Sequence, residues 1–387
     1  MKRHIVVAIS ARASYSRIKS ALLELKKRNK VKLTILLFAS ASIKGYGDVA
    51  RQMKYDGLCP EVILNSLDNG ATSLAAINTT AKSLELIGGF LAKIKPDAVV
   101  TIADRYETIA TAIAASYQNI PLIHIQGGEV TGNIDEKVRH AVTKLADVHL
   151  VSTKRAKEYL IRMGECPDRV TVTGCPSCDL ARYIMENPND IHHTFRKYFD
   201  EKTTGILMNH EFVVVLYHAT TLHNDDTEVV DNILKSIKKL GLYTLWLDPN
   251  RDPGADKVIN ETSRYLHEKE NDAIIQISFL GNMDFLRIVR YSKGLVGNSS
   301  AGIRECSFMG IPALNIGDRQ KMRERGSNVI DVSEKEEDIY EGLVRLMDYK
   351  CRAEKIYGDG YAGERIALEI ERCTLTFEKS LSYADEG

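Results

Sequence analysis

Short runs of β-branched and aliphatic residues alternate along this chain with longer stretches whose apolar positions recur at helical spacing. That is the pattern of βαβ units around a parallel sheet. In the first half, strands are predicted at 4–9, 31–38, 61–64, 98–102, 121–125, 148–152 and 170–172. The helices between them are predicted over 14–27, 72–94, 105–117, 135–146 and 153–163. After Pro176 the pattern loosens. Residues 187–209 carry adjacent histidines, charges and Gly205 without strong periodicity, and read as a connection between domains. A second series of strands follows at 212–217, 242–247, 273–277, 294–296, 313–316 and 329–331. The last amphipathic stretch, 363–381, has no strand after it and is expected to cross back to the first domain. The expectation is an α/β chain of two Rossmann-like domains with a cleft between them. Residues 1–180, completed by 363–387, form the first, and 181–362 form the second.

Composition narrows the partners. The chain has 387 residues, 44% of them hydrophobic, enough for two sizeable cores. Lys plus Arg equals Asp plus Glu at 52 each, so no net field draws the chain to nucleic acid or to a membrane surface. The apolar run after MKRH is about six residues, shorter than a signal-peptide core, and reads as a first strand. No apolar run approaches the roughly 18 residues of a membrane span. Seven cysteines, an odd number, fit reduced thiols in a cytoplasmic protein. Cys175 and Cys178 make a C-x-x-C around Pro176. No second Cys or His pair at ligand spacing accompanies it, so it reads as a structural turn and no metal site is expected.

Chemistry gathers where strands end. The stretch IHIQGGEVTGNIDEKVRHAVTKL (123–145) leaves an apolar strand through Gly127-Gly128 and offers Gln126, Glu129, Asp135 and Glu136 before a helix begins. One strand earlier, DAVVTIADRYET ends on Asp104 and Arg105. Neighbouring parallel strands thus bring acidic and basic groups to one edge, and in open α/β sheets ligands bind outside that carboxyl edge. The first strand–helix turn reads SARASYS and lacks G-x-G-x-x-G, which argues against a nicotinamide or flavin cofactor. Arg12, Ser14 and Ser16 there suit an anion at the following helix N-terminus. In the second half GNSSAGIRE (297–305) follows a strand and is expected to open a helix. Its small residues, the Ser299 and Ser300 hydroxyls and the helix dipole suit a diphosphate. Glu305, about one turn on, suits the two hydroxyls of a ribose, and Arg319 adds charge. Each feature also has an ordinary structural role: Asp135 can satisfy a helix start and pair with Arg139 at i,i+4, and His218 can be a core histidine.

The ordered set ARASYS, ADRYET, HIQGGEVTGNIDEKVRHAVTKL, GCPSCD, YHATT, DPNRDPG and GNSSAGIRE–NIGDRQ spans nearly the whole chain. It resembles the UDP-N-acetylglucosamine 2-epimerases, and specifically their hydrolysing branch, which makes N-acetylmannosamine and related sugars for sialic-acid-like nonulosonates. Non-hydrolysing members carry a different central motif, close to HVEAGLRT followed by a PEE segment. The resemblance implies a GT-B fold with the active site between its two domains, no cofactor, a UDP-sugar substrate and a homodimer or homotetramer. It implies a two-step reaction: a base takes the C2 proton as UDP leaves, and water then adds to the 2-acetamidoglycal with inversion at C2. Asp104 and Asp135 fall on the family's acid/base carboxylates, and His218 on the histidine that contacts the diphosphate. Arg12, Ser16, Arg105, Asn250, Ser299, Ser300, Glu305 and Arg319 fall on UDP-sugar contacts. Gln126 stands where other members place a third catalytic Glu; either Glu129 serves instead or Gln126 orients substrate. Ser14 replaces the Asp of the usual RADY turn, and the ASIKGYG loop lacks the His often seen there. These departures leave UDP-N,N′-diacetylbacillosamine as a rival substrate. A UDP-sugar glycosyltransferase and a non-catalytic UDP-sugar binder are the competing functions.

Overall fold

The computed structural model describes residues 2–68, 70, 72–131, 134–188, 190–220, 226–249, 254–269 and 273–382. The chain divides into two compact units. One comprises Met1–Val130, Ile134–Asp179 and Tyr357–Gly387, and the other is chiefly Leu180–Ile356. Among the described residues no helix is long and apolar enough to cross a membrane.

The first unit is built on seven strands: β1 (Arg3–Ile9), β2 (Val31–Leu37), β3 (Val62–Ile63), β4 (Ala98–Ile102), β5 (Leu122–Ile125), β6 (Val148–Val151) and β7 (Val170–Val172). All pair in parallel, in the order β3-β2-β1-β4-β5-β6-β7. Central strands covered on both faces must be chiefly apolar, and β4 and β5 are buried at every position. One face packs Ile5, Val7 and Ile9 with Leu22, Leu25 and Ile366; the other packs Val6, Ala8 and Val99 with Ile87 and Leu91. Thr72 and Thr153 start two of the covering helices by accepting the N–H groups of Ala75 and Ala156.

The second unit repeats the plan with β8 (Phe212–Leu216), β9 (Tyr243–Leu247), β10 (Ile274–Ile277), β11 (Leu295–Gly297), β12 (Ala313–Ile316) and β13 (Val329–Val332). Their order is β10-β9-β8-β11-β12-β13, again parallel. Each sheet therefore reverses its winding once, beside β1 and β4 in the first and beside β8 and β11 in the second. Ligands of such sheets bind at that reversal.

Several sequence expectations need correction. The segment 187–209 is not an irregular connection: it forms helices Ile191–Arg196 and Glu201–Asn209, which belong to the second unit. Asp190 and Asp200 cap them, and Phe195 stacks edge-on against Phe212 and Tyr291. They are too short to show a period. The helix expected over 14–27 is two helices, Arg12–Ser16 and Lys19–Lys27. The one expected from Arg105 starts at Thr108, because Arg105 to Glu107 form a turn closed by their own ion pair. The last helix ends at Arg372 (Ala362–Arg372), and packs on Lys19–Lys27. Residues 373–382 run on without regular structure, fixed by Lys379.

Lys379 reaches the carbonyl oxygens of Thr143 and Ala146 and the carboxylate of Glu165. Glu165 also accepts from His149 Nε2 at 2.9 Å and Lys144 Nζ at 2.7 Å. Burial would raise the Glu165 carboxyl, but these three donors together hold it down at about 2. A folded value below the ordinary 4.5 gives stability that is present above 4.5 and lost as pH falls toward 2. Buried His149, whose value is lowered chiefly by desolvation, adds a loss of the same sign once pH drops below 6.5. Denaturant midpoints should therefore decline on acidification, and Glu165→Gln should flatten the part below 4.5. An unchanged slope in the variant would remove Glu165 from the acid response.

Candidate active site

At the reversal of the first sheet, β4 ends at Ile102 and Ala103 turns left-handed, φ 62°. Gln126, just past β5, does the same at φ 66°. An L-residue there costs about 1–2 kcal/mol relative to ordinary backbone, so such turns mark places where a side chain is being aimed. Directly after Ala103 comes Asp104, only 7% exposed. Its carboxylate accepts from Arg139, which no solvent reaches, and from Arg17 at 3.3 Å. Arg139 also donates to the Glu129 carbonyl at 2.6 Å. Burial works against the Arg139 charge, but the carboxylates of Asp104, Glu129 and Asp135 more than offset it and its value rises.

Arg139 thus spans from the helix Ile134–Leu145 to the end of β4, a role the i,i+4 reading of Asp135 and Arg139 did not anticipate. Asp135 and Glu136 lie in that helix's first turn, one turn before Arg139. The loop between β5 and the helix depends on its glycines. A Cβ on Gly128, at φ 76°, would sit 2.4 Å from the Ala156 carbonyl oxygen. One on Gly127 would crowd Thr143 and His124. Glu129 follows directly and is 6% exposed. The Gln126 amide donates to Cys175 Sγ at 3.0 Å, and its carbonyl oxygen is buried without a hydrogen-bond partner. Cys175 in turn meets the Ser177 hydroxyl at 2.9 Å; it and Cys178 are buried thiols.

Arg12 and Ser16 lie within the five-residue helix after β1, so they do not flank a longer helix as expected. The Ser16 hydroxyl donates to the Ala13 carbonyl, and buried Ser14 faces Ser10 at 3.3 Å. Arg105 pairs with fully buried Glu107 at 2.6 Å.

At the reversal of the second sheet, His218 lies just past β8 and is buried. The Asn298 side chain bridges the two strand ends, accepting the His218 N–H at 2.7 Å and donating to its carbonyl at 2.8 Å. Arg319 and Gln320 both donate to the Asn298 carbonyl, at 3.0 and 2.9 Å. Gly297, φ 128°, admits no side chain, since a Cβ would lie 2.2 Å from the Leu216 carbonyl oxygen. Ser299 caps the next helix through the Ala301 N–H. That helix is Ser300–Ile303 only; the chain breaks at Arg304, and Glu305 opens a second one. The dipole expected of one longer helix is correspondingly small. One Glu305 carboxylate oxygen is buried with no hydrogen-bond partner. Asn250 lies outside the described residues. Among the described residues no group of three or more His, Cys, Asp and Glu is arranged to hold a metal ion.

The sequence points to Asp104, Asp135, His218, Ser299, Glu305 and Arg319; Arg139 enters there only as a local partner for Asp135, and Arg17 and Asn298 do not enter. Asn298 was visible inside GNSSAG; nothing local ties either arginine to Asp104.

Comparison with known proteins agrees with this architecture. The Polysialic acid biosynthesis protein P7 of Escherichia coli is 30% identical over 351 residues, covering 90% of this chain and 87% of that protein. The UDP-N,N′-diacetylbacillosamine 2-epimerase (hydrolyzing) of Legionella pneumophila is 29% identical over 376 residues, 94% of each chain. The solved structure of UDP-GlcNAc 2-epimerase from Neisseria meningitidis bound to UDP-GlcNAc superposes with a TM-score of 0.80 at 21% identity, over 95% of this chain and 99% of that one. That likeness places the fold with the GT-B-like epimerases. The UDP-N-acetylglucosamine 2-epimerase family model matches residues 23–371, and the chain belongs to that family.

Proposed function

We propose that this protein is a hydrolysing UDP-sugar 2-epimerase, converting a UDP-2-acetamido sugar and water to the free C2-inverted sugar and UDP. The observation that carries the reading is Asp104. It is a nearly buried carboxylate set by a left-handed backbone turn at the sheet reversal and backed by an arginine from the helix that carries Asp135. Two carboxylates on adjoining elements suit proton removal at C2 and its return to the glycal. Gln126 cannot carry a proton at neutral pH, and we assign it to orienting the sugar, with Glu129 available as a further carboxylate. In the second unit, Ser299, Ser300, Arg319 and His218 are assigned to the diphosphate, where charge grows as UDP departs. Glu305, with its unpartnered oxygen, is assigned to the ribose. Arg12, Ser16, Arg105 and Asn250 are assigned to the remaining UDP-sugar contacts.

The central motif and the Legionella relative's name favour the hydrolysing course. The same name makes UDP-N,N′-diacetylbacillosamine a substrate to test beside UDP-GlcNAc. Incubating each UDP-sugar without acceptor, with the products followed by NMR, separates the readings. Free C2-inverted sugar with UDP is expected. A C2-epimerised sugar still attached to UDP would mean the non-hydrolysing reaction, and an inert substrate would point to a glycosyltransferase or a binder.

Nucleotide affinity checks the division of labour. Arg319→Ala should weaken UDP about tenfold or more, as loss of a hydrogen bond to a charged group does. Ser299→Ala should weaken it less, and Asp104→Asn should leave it nearly intact. Calorimetric titration giving the reverse order would overturn the assignment of UDP to the second unit.

A further inference from the structure

His124, on β5, is completely buried and both of its ring nitrogens are engaged. Nε2 lies 2.9 Å from the Ala103 carbonyl oxygen. A carbonyl can only accept, so Nε2 carries the proton. Nδ1 is then an acceptor and takes the Thr143 hydroxyl at 3.2 Å. Thr143 is buried on the helix Ile134–Leu145. The ionisable groups acting on the ring are His149, Arg139 and Asp104. Burial outweighs them all and keeps the imidazole neutral, at about 3, so the donor is permanent at working pH.

The carbonyl that His124 holds belongs to the left-handed residue just before Asp104. Two side-chain struts therefore join the end of β4 to one helix. Arg139 holds the Asp104 carboxylate, and His124, through Thr143, holds the backbone from which that carboxylate projects. We propose that His124 is a positioning residue for Asp104, fixing the strained Ala103 peptide so that the carboxylate keeps its place relative to the helix of Asp135. It touches no substrate and transfers no proton. The inference rests on the acid/base reading of Asp104.

The test is a kinetic cycle on the full-length protein. His124→Phe fills the space but has no N–H, and should lower kcat about 10- to 100-fold with KM within about threefold of wild type. His124→Gln, whose amide can reach the same carbonyl, should recover much of the loss. In an Asp104→Asn background, His124→Phe should add less than about a further twofold, because both changes act on one group. A merely structural role would slow Asp104→Asn further by its full factor. Persistence of that factor, or a His124→Phe variant as fast as wild type, overturns the proposal. Should His124→Phe not fold, Thr143→Val carries the same comparison, with a smaller loss that again vanishes on Asp104→Asn. Wild-type protein that turns over no UDP-sugar would refute the functional reading instead. Long-range ¹H–¹⁵N spectra then decide the geometry alone: a fixed Nε2–H tautomer from about pH 5 to 8 supports it, and a titrating ring overturns it.

Discussion

Asp104→Asn and Asp135→Asn should each slow release of free sugar by about 10²–10⁴-fold, the usual loss when a positioned acid or base is removed. The chemistry leaves a further mark. If C2 is deprotonated as UDP departs and reprotonated afterwards, reaction in deuterated water must place solvent deuterium at C2 of the product. The sugar should appear with C2 inverted and, when first formed, as the α anomer, since water adds on the face UDP left. Free sugar without label at C2 would exclude elimination and leave simple hydrolysis of the UDP–sugar bond. Gln126→Glu completes the series. With its amide already committed to Cys175 and assigned only to orientation, the new carboxylate should give little or no gain. A large gain would show that the native chain uses another base at that step, with Glu129 the nearest choice in sequence.

Arg139→Met should be the most destabilising single change in the first unit. The guanidinium is wholly buried between the Asp104 carboxylate and the Glu129 carbonyl, and its loss leaves Asp104 nearly buried with one partner fewer. Breaking a buried pair from one side costs about 3–5 kcal/mol, because the remaining charge is uncompensated. The diagnostic is the double variant. Arg139→Met with Asp104→Asn removes the orphaned charge and should recover a good part of the loss in denaturant melts, although it remains inactive. If the two losses simply add, the pair is not coupled and Arg139 acts through packing or the Glu129 carbonyl alone. Arg139→Lys should not substitute, since one ammonium cannot reproduce the fork that serves both groups.

Much of the framework was legible because central strands of parallel sheets are short, chiefly apolar and followed by polar residues. β4 and β5 could be read to within a residue, and Asp104, Gln126 and Glu129 fell at their ends. Details that depend on distant partners were not. The Arg139–Asp104 pair joins residues 35 apart, and Arg17–Asp104 joins residues 87 apart, so no local window contains either. Asp135, by contrast, has Arg139 four residues away, a local pairing the sequence offers as the ordinary alternative to acid/base work. The left-handed turns at Ala103 and Gln126 are invisible for another reason. Glycine advertises such a turn, whereas alanine and glutamine hold it only because the surroundings compel them. The two helices within 187–209 were announced only by Asp190 and Asp200 as caps, a signal that periodicity over six to nine residues could not reinforce.

The first unit is assembled from stretches far apart in the polypeptide. Its opening 130 residues need the segment after Tyr357, whose helix lies on Lys19–Lys27 and whose Lys379 closes over Thr143 and Glu165. On the ribosome, the strands of β1 to β7 therefore emerge long before the pieces that seal them. The other unit lies almost wholly within Leu180–Ile356, between the two. Until the helix Ala362–Arg372 leaves the exit tunnel, the apolar face of Lys19–Lys27 lacks the partner that covers it. This orders biogenesis: most of the inserted unit is synthesised before the unit bearing Asp104 can be sealed.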